Sequence, residues 1–141
     1  MEEFSSKQID IAYDRIKSYI IRTPLVSNDY FNKKIGANIF FKLENFQKTG
    51  SFKLRGAINK ILQLKKIDKL KGIIAYSSGN HAQAVSYAAN KLKIRNTIVM
   101  PKNAPKIKLE NTRKYGAKLI LYDEKKESRE EIAKNISQKE N

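Results

Sequence analysis

Lys53 is set apart from the other lysines of this 141-residue chain by its neighbours, Thr49-Gly50-Ser51-Phe52-Lys53-Leu54-Arg55-Gly56-Ala57. Upstream, Asn38-Ile39-Phe40-Phe41-Lys42-Leu43 has the apolar, aromatic character of a buried strand. Downstream, Leu54, Ala57, Ile58, Ile61 and Leu62 recur at helical spacing, and Ser51 stands where an N-cap should stand. The pattern predicts a strand over 38–43, a glycine-containing loop, and a helix over 52–65 with Lys53 in its first turn. Exposed N–H groups give that end of a helix a partial positive charge, so a cation is badly placed there. The location favours the neutral amine, the form that attacks a carbonyl. Such a lysine suits a Schiff base better than a solvated surface.

A second group of candidates is Ser77-Ser78-Gly79-Asn80-His81-Ala82-Gln83-Ala84. It comes after Gly72-Ile73-Ile74-Ala75-Tyr76, a buried-type strand, and opens a helix predicted over 79–92. Free backbone N–H groups, two hydroxyls and an amide then gather at a helix N-terminus, which is an anion site. The same junction is the carboxyl end of a parallel strand, where ligands bind in open α/β sheets. Capping of the helix by serine is the alternative use of these residues. His81 is the only histidine, which excludes a multi-histidine metal site, and no carboxylates at ligand spacing surround it. No metal is expected.

The run from Phe41 to Ala57 closely resembles the cofactor-lysine segment of the threonine dehydratase and serine racemase group. These belong to the tryptophan-synthase-β-like, fold type II, pyridoxal phosphate enzymes. Ser77 to Ala84 resembles the group's substrate-carboxylate loop, and Arg22-Thr23-Pro24-Leu25 is a third match in the right order. The resemblance implies that Lys53 forms the Schiff base with pyridoxal 5'-phosphate and then shuttles protons at the substrate α-carbon. It implies that Phe52 packs against the cofactor ring and that Ser77, Ser78, Asn80 and His81 surround the substrate carboxylate. Asn80 also reaches the cofactor's phenolic oxygen, and Ser78 is the candidate acid/base on the face opposite Lys53. The implied reaction is dehydration of L-threonine or L-serine to a 2-oxo acid and ammonia, within amino-acid metabolism such as isoleucine biosynthesis. Serine racemization is the alternative within the class, and a catalytically inactive remnant is the alternative outside it.

The implied fold is α/β, a parallel-sheet fragment of a two-domain enzyme. Residues 1–67 are expected to form part of the larger domain, and 68–141 a nearly complete smaller one. Family members are usually at least twice as long, and the resemblance covers only their N-terminal part. The glycine-rich loop that cradles the cofactor phosphate, the residue at the pyridine nitrogen and the divalent-cation ligands are expected beyond residue 141. Activity of the chain alone is therefore expected to be weak. A homo-oligomer is expected of the full-length form.

Composition bounds the other classes. There is no cysteine, so neither disulfides nor thiolate metal sites are available. No apolar run reaches the roughly 20 residues that span a bilayer. Met1-Glu2-Glu3-Phe4 lacks the basic-then-apolar pattern of a signal peptide. These features predict a cytoplasmic protein without membrane partners. The net charge of +15 invites a nucleic-acid reading. The lysines, however, are scattered over different elements and greatly outnumber arginine, the residue that planar recognition of phosphates and bases favours. A basic binding protein is disfavoured.

Around these sites the chain alternates. Ile9, Tyr13, Ile16 and Ile20 mark a first helix over 6–20, opened by a Ser5/Gln8 capping box. Ser27 is expected to cap a short helix that Gly36 ends. Lys60 to Lys71 reads as a solvated helix end and loop. Strand 97–100, helix 104–115 with Pro105 near its start, strand 118–122 and a charged helix from Glu127 complete the pattern, and the tail after Ile136 should fray. Alternation of this kind argues for parallel βα units with right-handed crossovers. The tyrosines and the remaining phenylalanines read as core.

Overall fold

The computed structural model describes residues 5–139. The acidic start, Met1 to Phe4, and Glu140 and Asn141 of the tail lie outside the described residues. A three-stranded parallel sheet carries the C-terminal half of the fold, in the order β3-β4-β5. β3 is Ile73–Tyr76, β4 Asn96–Pro101 and β5 Lys118–Tyr122, with Ala75 opposite Ile98 and Val99 opposite Ile120. β4 is buried at every position, as a central strand covered on both faces must be. The connecting helices are α5 (Asn80–Lys91) and α6 (Lys106–Lys114), and α7 (Arg129–Lys139) comes after β5 and packs back on β3 and β4.

α5 is the centre of the molecule. It touches β3, β4, α6 and α3 (Lys53–Leu62), so it is covered on almost every side. Its small residues Ala82, Ala84, Ser86, Ala88 and Ala89 are buried and let these neighbours approach closely. α3 sends Leu54, Ala57, Ile58 and Ile61 into the same core, the apolar stripe that its sequence spacing demanded. The division expected at residue 67 falls within α4 (Lys66–Lys71), and the core has members on both sides of it.

The N-terminal third is built differently. α1 (Ser6–Ile16) opens with the Ser5 N–H donating to Gln8 Oε1 at 3.2 Å. It buries Ile16, and Ile20 just beyond it, but Ile9 and Tyr13 face solvent, so half of the expected stripe has no cover. The run read as a buried strand over 38–43 is corrected: β2 (Phe40–Lys42) is exposed along its length and pairs antiparallel with β1 (Leu25–Ser27). β1 was not expected. Pro24 pushes Thr23 out of the helical region, and Leu25 and Val26 are left free to pair. α2 (Asp29–Ile35) returns the chain, with its C-cap Gly36 left-handed at φ 71° as expected. Its N-cap is Asn28, which accepts from the Phe31 N–H at 3.2 Å. Ser27 instead donates to the Ile39 carbonyl at 2.8 Å and accepts from Asn32, fastening β1 to the approach of β2.

Smaller differences have local causes. The 60–71 segment is a helix end, a break and a second short helix, α4, rather than helix end and loop. Ser137, Gln138 and Lys139 continue α7 instead of fraying. The charged helix starts at Arg129, and Pro105 is the N-cap of α6. Most aromatic side chains are not core: Tyr30, Phe31, Phe40, Phe41, Phe46 and Tyr76 are exposed, and Tyr122 is buried.

Candidate active site

Lys53 is the first residue of α3, so the expected placement in a first helical turn holds. Ser51 is not the cap. Phe52 occupies that position with helical backbone, and Ser51 is buried in the loop before it. Gly50, at φ 69°, makes the turn, its N–H reaching the Gln47 carbonyl at 2.7 Å. Phe52 is 58% exposed, and the Lys53 ammonium lies 4.8 Å from its ring centre.

The loop is held by a polar clamp. Arg55 binds Glu44 bidentately, Nε to Oε2 at 3.0 Å and Nη2 to Oε1 at 2.6 Å. Thr23 donates to the same carboxylate at 2.5 Å, and Lys42 Nζ donates to the Thr23 carbonyl at 2.7 Å. Buried Gln47 accepts from the Ile21 N–H and donates to the Ile21 carbonyl, both at 2.9 Å. The Arg55 hydrogen bond holds the Glu44 carboxyl below its ordinary range; burial opposes this, and the Thr23 hydroxyl reinforces it. The clamp thus joins the Arg22-Thr23-Pro24-Leu25 segment to the helix that starts at Lys53. Sequence reasoning missed its members, whose only signal was an acid and a base within one motif block.

Lys53 and His81 line one cavity of about 500 Å³, with Phe52, Gly56 and Val85. The cavity continues along the free edge of β3 past Ile73 and Ile74. Burial, and then the charge of Lys53, push the His81 imidazole below its ordinary value, so its neutral form is favoured. Ser77, Ser78 and Asn80 stand at the C-terminal end of β3, as expected, but do not line this cavity. The Ser77 N–H pairs with the Val99 carbonyl at 3.1 Å, and its hydroxyl accepts from the Gly79 N–H at 3.2 Å. The N-cap of α5 is Gly79, with no side-chain cap bond, so neither serine plays the plain capping role. Asn80 Oδ1 accepts from Lys108 Nζ at 2.5 Å, a partner that sequence reasoning missed. Among the described residues no group of three or more His, Cys, Asp or Glu side chains could hold a metal ion. No helix among them is long and apolar enough to cross a membrane.

Comparison with known proteins decides the family. Residues 16–141 match the family described as pyridoxal-phosphate dependent enzyme. The chain belongs to this family. It is 45% identical to the serine racemase of Schizosaccharomyces pombe, over 92% of this chain and 40% of that protein. It is 50% identical to a catabolic L-threonine dehydratase of Staphylococcus aureus, over 89% of this chain and 38% of that one. The solved structure of maize serine racemase superposes with a TM-score of 0.90 at 43% identity, covering 94% of this chain and 40% of that one. The chain thus spans about two-fifths of the length of the curated relatives it matches. The expected α/β fold with a parallel sheet, the fold type II class and pyridoxal phosphate as the family's cofactor all stand.

The residues present fit that cofactor. Lys53 offers a primary amine to a cavity with largely apolar walls, and the start of α5 offers hydroxyls, an amide and backbone donors. Thr49 Oγ1 and Ser51 Oγ, on the loop leading to Lys53, are buried without a hydrogen-bond partner. Native interiors seldom leave such hydroxyls unpaired, and a bound polar group nearby would pair them.

Proposed function

We propose that this chain carries the cofactor lysine and the substrate-carboxylate loop of a pyridoxal phosphate-dependent ammonia-lyase acting on L-threonine or L-serine. The observation that carries the reading is Lys53 on the first turn of α3, lining one cavity with His81. Pyridoxal phosphate, when bound, draws electrons from the substrate α-carbon into its ring. Lys53 would supply the primary amine that holds the cofactor and the base that takes the substrate α-proton. The proton taken by Lys53 would leave with the β-hydroxyl as water, and the released enamine would hydrolyse to the 2-oxo acid and ammonia. Ser77, Asn80 and the N-terminus of α5 hold the substrate carboxylate, with His81 as a neutral hydrogen-bonding partner. Phe52, exposed beside Lys53, is available to cover the cofactor ring.

Similarity to serine racemases, at 45% identity in the yeast case, favours a second reading with the same residues. There Ser78, exposed at the loop, delivers a proton to the face opposite Lys53. No glycine-rich run in the sequence forms a phosphate cradle, so the chain alone is proposed to capture the cofactor weakly.

The test is to add pyridoxal phosphate, trap with borohydride and map the label. Lys53→Ala should abolish labelling and Lys48→Ala should retain it; a label on another lysine overturns the assignment. Assays for 2-oxo acid against product chirality then separate lyase from racemase.

A further inference from the structure

Lys108 is a cation placed where a cation is unwelcome. It sits on α6 with its ammonium 2.5 Å from Asn80 Oδ1, at the N-terminus of α5, whose partial charge is positive. Its position is built rather than incidental. The Lys108 N–H bonds the Pro105 carbonyl at 2.8 Å, and the Lys108 carbonyl accepts from the Thr112 hydroxyl at 2.7 Å. One turn along both helices, Asn111 Nδ2 donates to Oε1 of buried Gln83 at 3.0 Å. The two contacts repeat at the same spacing, 80 to 83 on α5 and 108 to 111 on α6, and fix the helices in register.

We infer that Lys108 is a positioning residue that turns the Asn80 amide so that it can only donate toward the ligand. An ammonium has three donors and no acceptor, so only the amide oxygen can face it. The NH2 group of Asn80 is then directed away from α6. A ligand at this loop meets a donor and not an acceptor, which selects carboxylate or phenolate oxygen. Without Lys108 the amide is free to flip and to offer Oδ1, which repels such an anion. The ammonium also adds its own charge to the end of α5, and an anionic ligand relieves the crowding of positive charge. The inference rests on the functional reading above and extends it to a residue outside the 77–81 loop.

The experiment uses the 141-residue chain. It reads the Asn80 side-chain amide in proton–nitrogen spectra and the capture of pyridoxal 5'-phosphate by borohydride trapping. Loss of a charge-assisted hydrogen bond should weaken capture about tenfold in Lys108→Met and move the Asn80 amide resonances. Lys108→Arg, still a pure donor, should hold capture within about twofold of the parent. Asn80→Asp should pair more tightly with Lys108, raising thermal stability, yet lose capture because it cannot donate. Wild-type capture in Lys108→Met overturns the inference, as does equal loss in Lys108→Arg. Should Lys108→Met fail to fold, Lys108→Gln takes its place, and unaltered Asn80 resonances with unaltered capture overturn the inference. If the parent chain captures no cofactor, the functional reading fails for this chain, and the Asn80 resonances alone decide whether Lys108 orients the amide.

Discussion

Two short runs of the chain have nearly the same apolar character and opposite fates. Ile39-Phe40-Phe41 and Ile73-Ile74-Ala75 both read as buried strands. β3 is half-buried, with α5 and α7 packed on the sheet, while Phe40 in β2 is 62% exposed. The difference lies in the segment that each strand leads into. β3 leads into a helix of small residues that folds back on the sheet, and that βα unit supplies its own cover. β2 leads into a 3₁₀ turn, Glu44–Phe46, and the clamp, which fix the path of the chain but cover nothing. An apolar strand predicts that cover is needed, not that it is present.

Core substitutions should split the two regions most sharply. Ile98 and Leu54 are fully buried, and truncating either to Ala should cost about 2–5 kcal/mol in a denaturant titration. Phe40→Ala should change stability by no more than about 0.5 kcal/mol. Its effect should fall on association instead. Leu25, Val26, Phe40 and Phe41 form exposed apolar surface on both strands of the small sheet, and such surface drives contact. Phe40→Lys should therefore lower self-association in sedimentation velocity. Equal stability losses from Phe40→Ala and Ile98→Ala would erase the distinction.

The same contrast explains what could be read in advance. The parallel unit was legible because each of its elements is specified locally. Val99 and Met100 make β4, Pro101 stops it, and Gly116, left-handed at φ 87°, ends the α6 segment. The place of Lys53 in the first turn of α3 was legible because a glycine and a helical stripe flank it. The clamp was not, since Gln47 meets Ile21 and Glu44 meets Arg55 through tertiary contacts that no spacing rule reports. Nor was the Lys108–Asn80 contact, which joins residues on two successive helices. The exposed aromatics were misread as core because aromatic side chains are usually covered, whereas here edge-on contacts such as Phe31–Phe41 leave both rings exposed.

The clamp should give the next largest effect. Glu44 and Arg55 are mostly shielded, so Glu44→Ala leaves a guanidinium without its partner and should cost about 1–3 kcal/mol. The Glu44 carboxyl is held below its ordinary value, so its stabilising share is present above the unfolded value near about 4.3 and is lost as pH falls through the folded one. Glu44→Gln should flatten that acid limb. The loop before Lys53 should also loosen, seen as faster hydrogen exchange at Gly50, whereas β4 should keep its protection. Loss of protection in β4 would mean that the two regions fold as one unit.

The smallest effect should come from His81, where the core and the Lys53 loop meet. Burial first, and the Lys53 charge second, lower the folded imidazole's affinity for a proton. The unfolded chain then binds more protons than the folded one between the folded value and about 6.5, so stability rises with pH across that window. Above it His81 is neutral in both states and contributes no slope. Stability should therefore fall as pH drops through about 6.5. His81→Gln should remove the slope in thermal melts taken from about pH 5 to about pH 8. Lys53→Met should reduce it without abolishing it, because burial is the larger cause and stays. A slope that vanishes in Lys53→Met would show that the lysine's charge, rather than the packing around α5, sets the state of the imidazole.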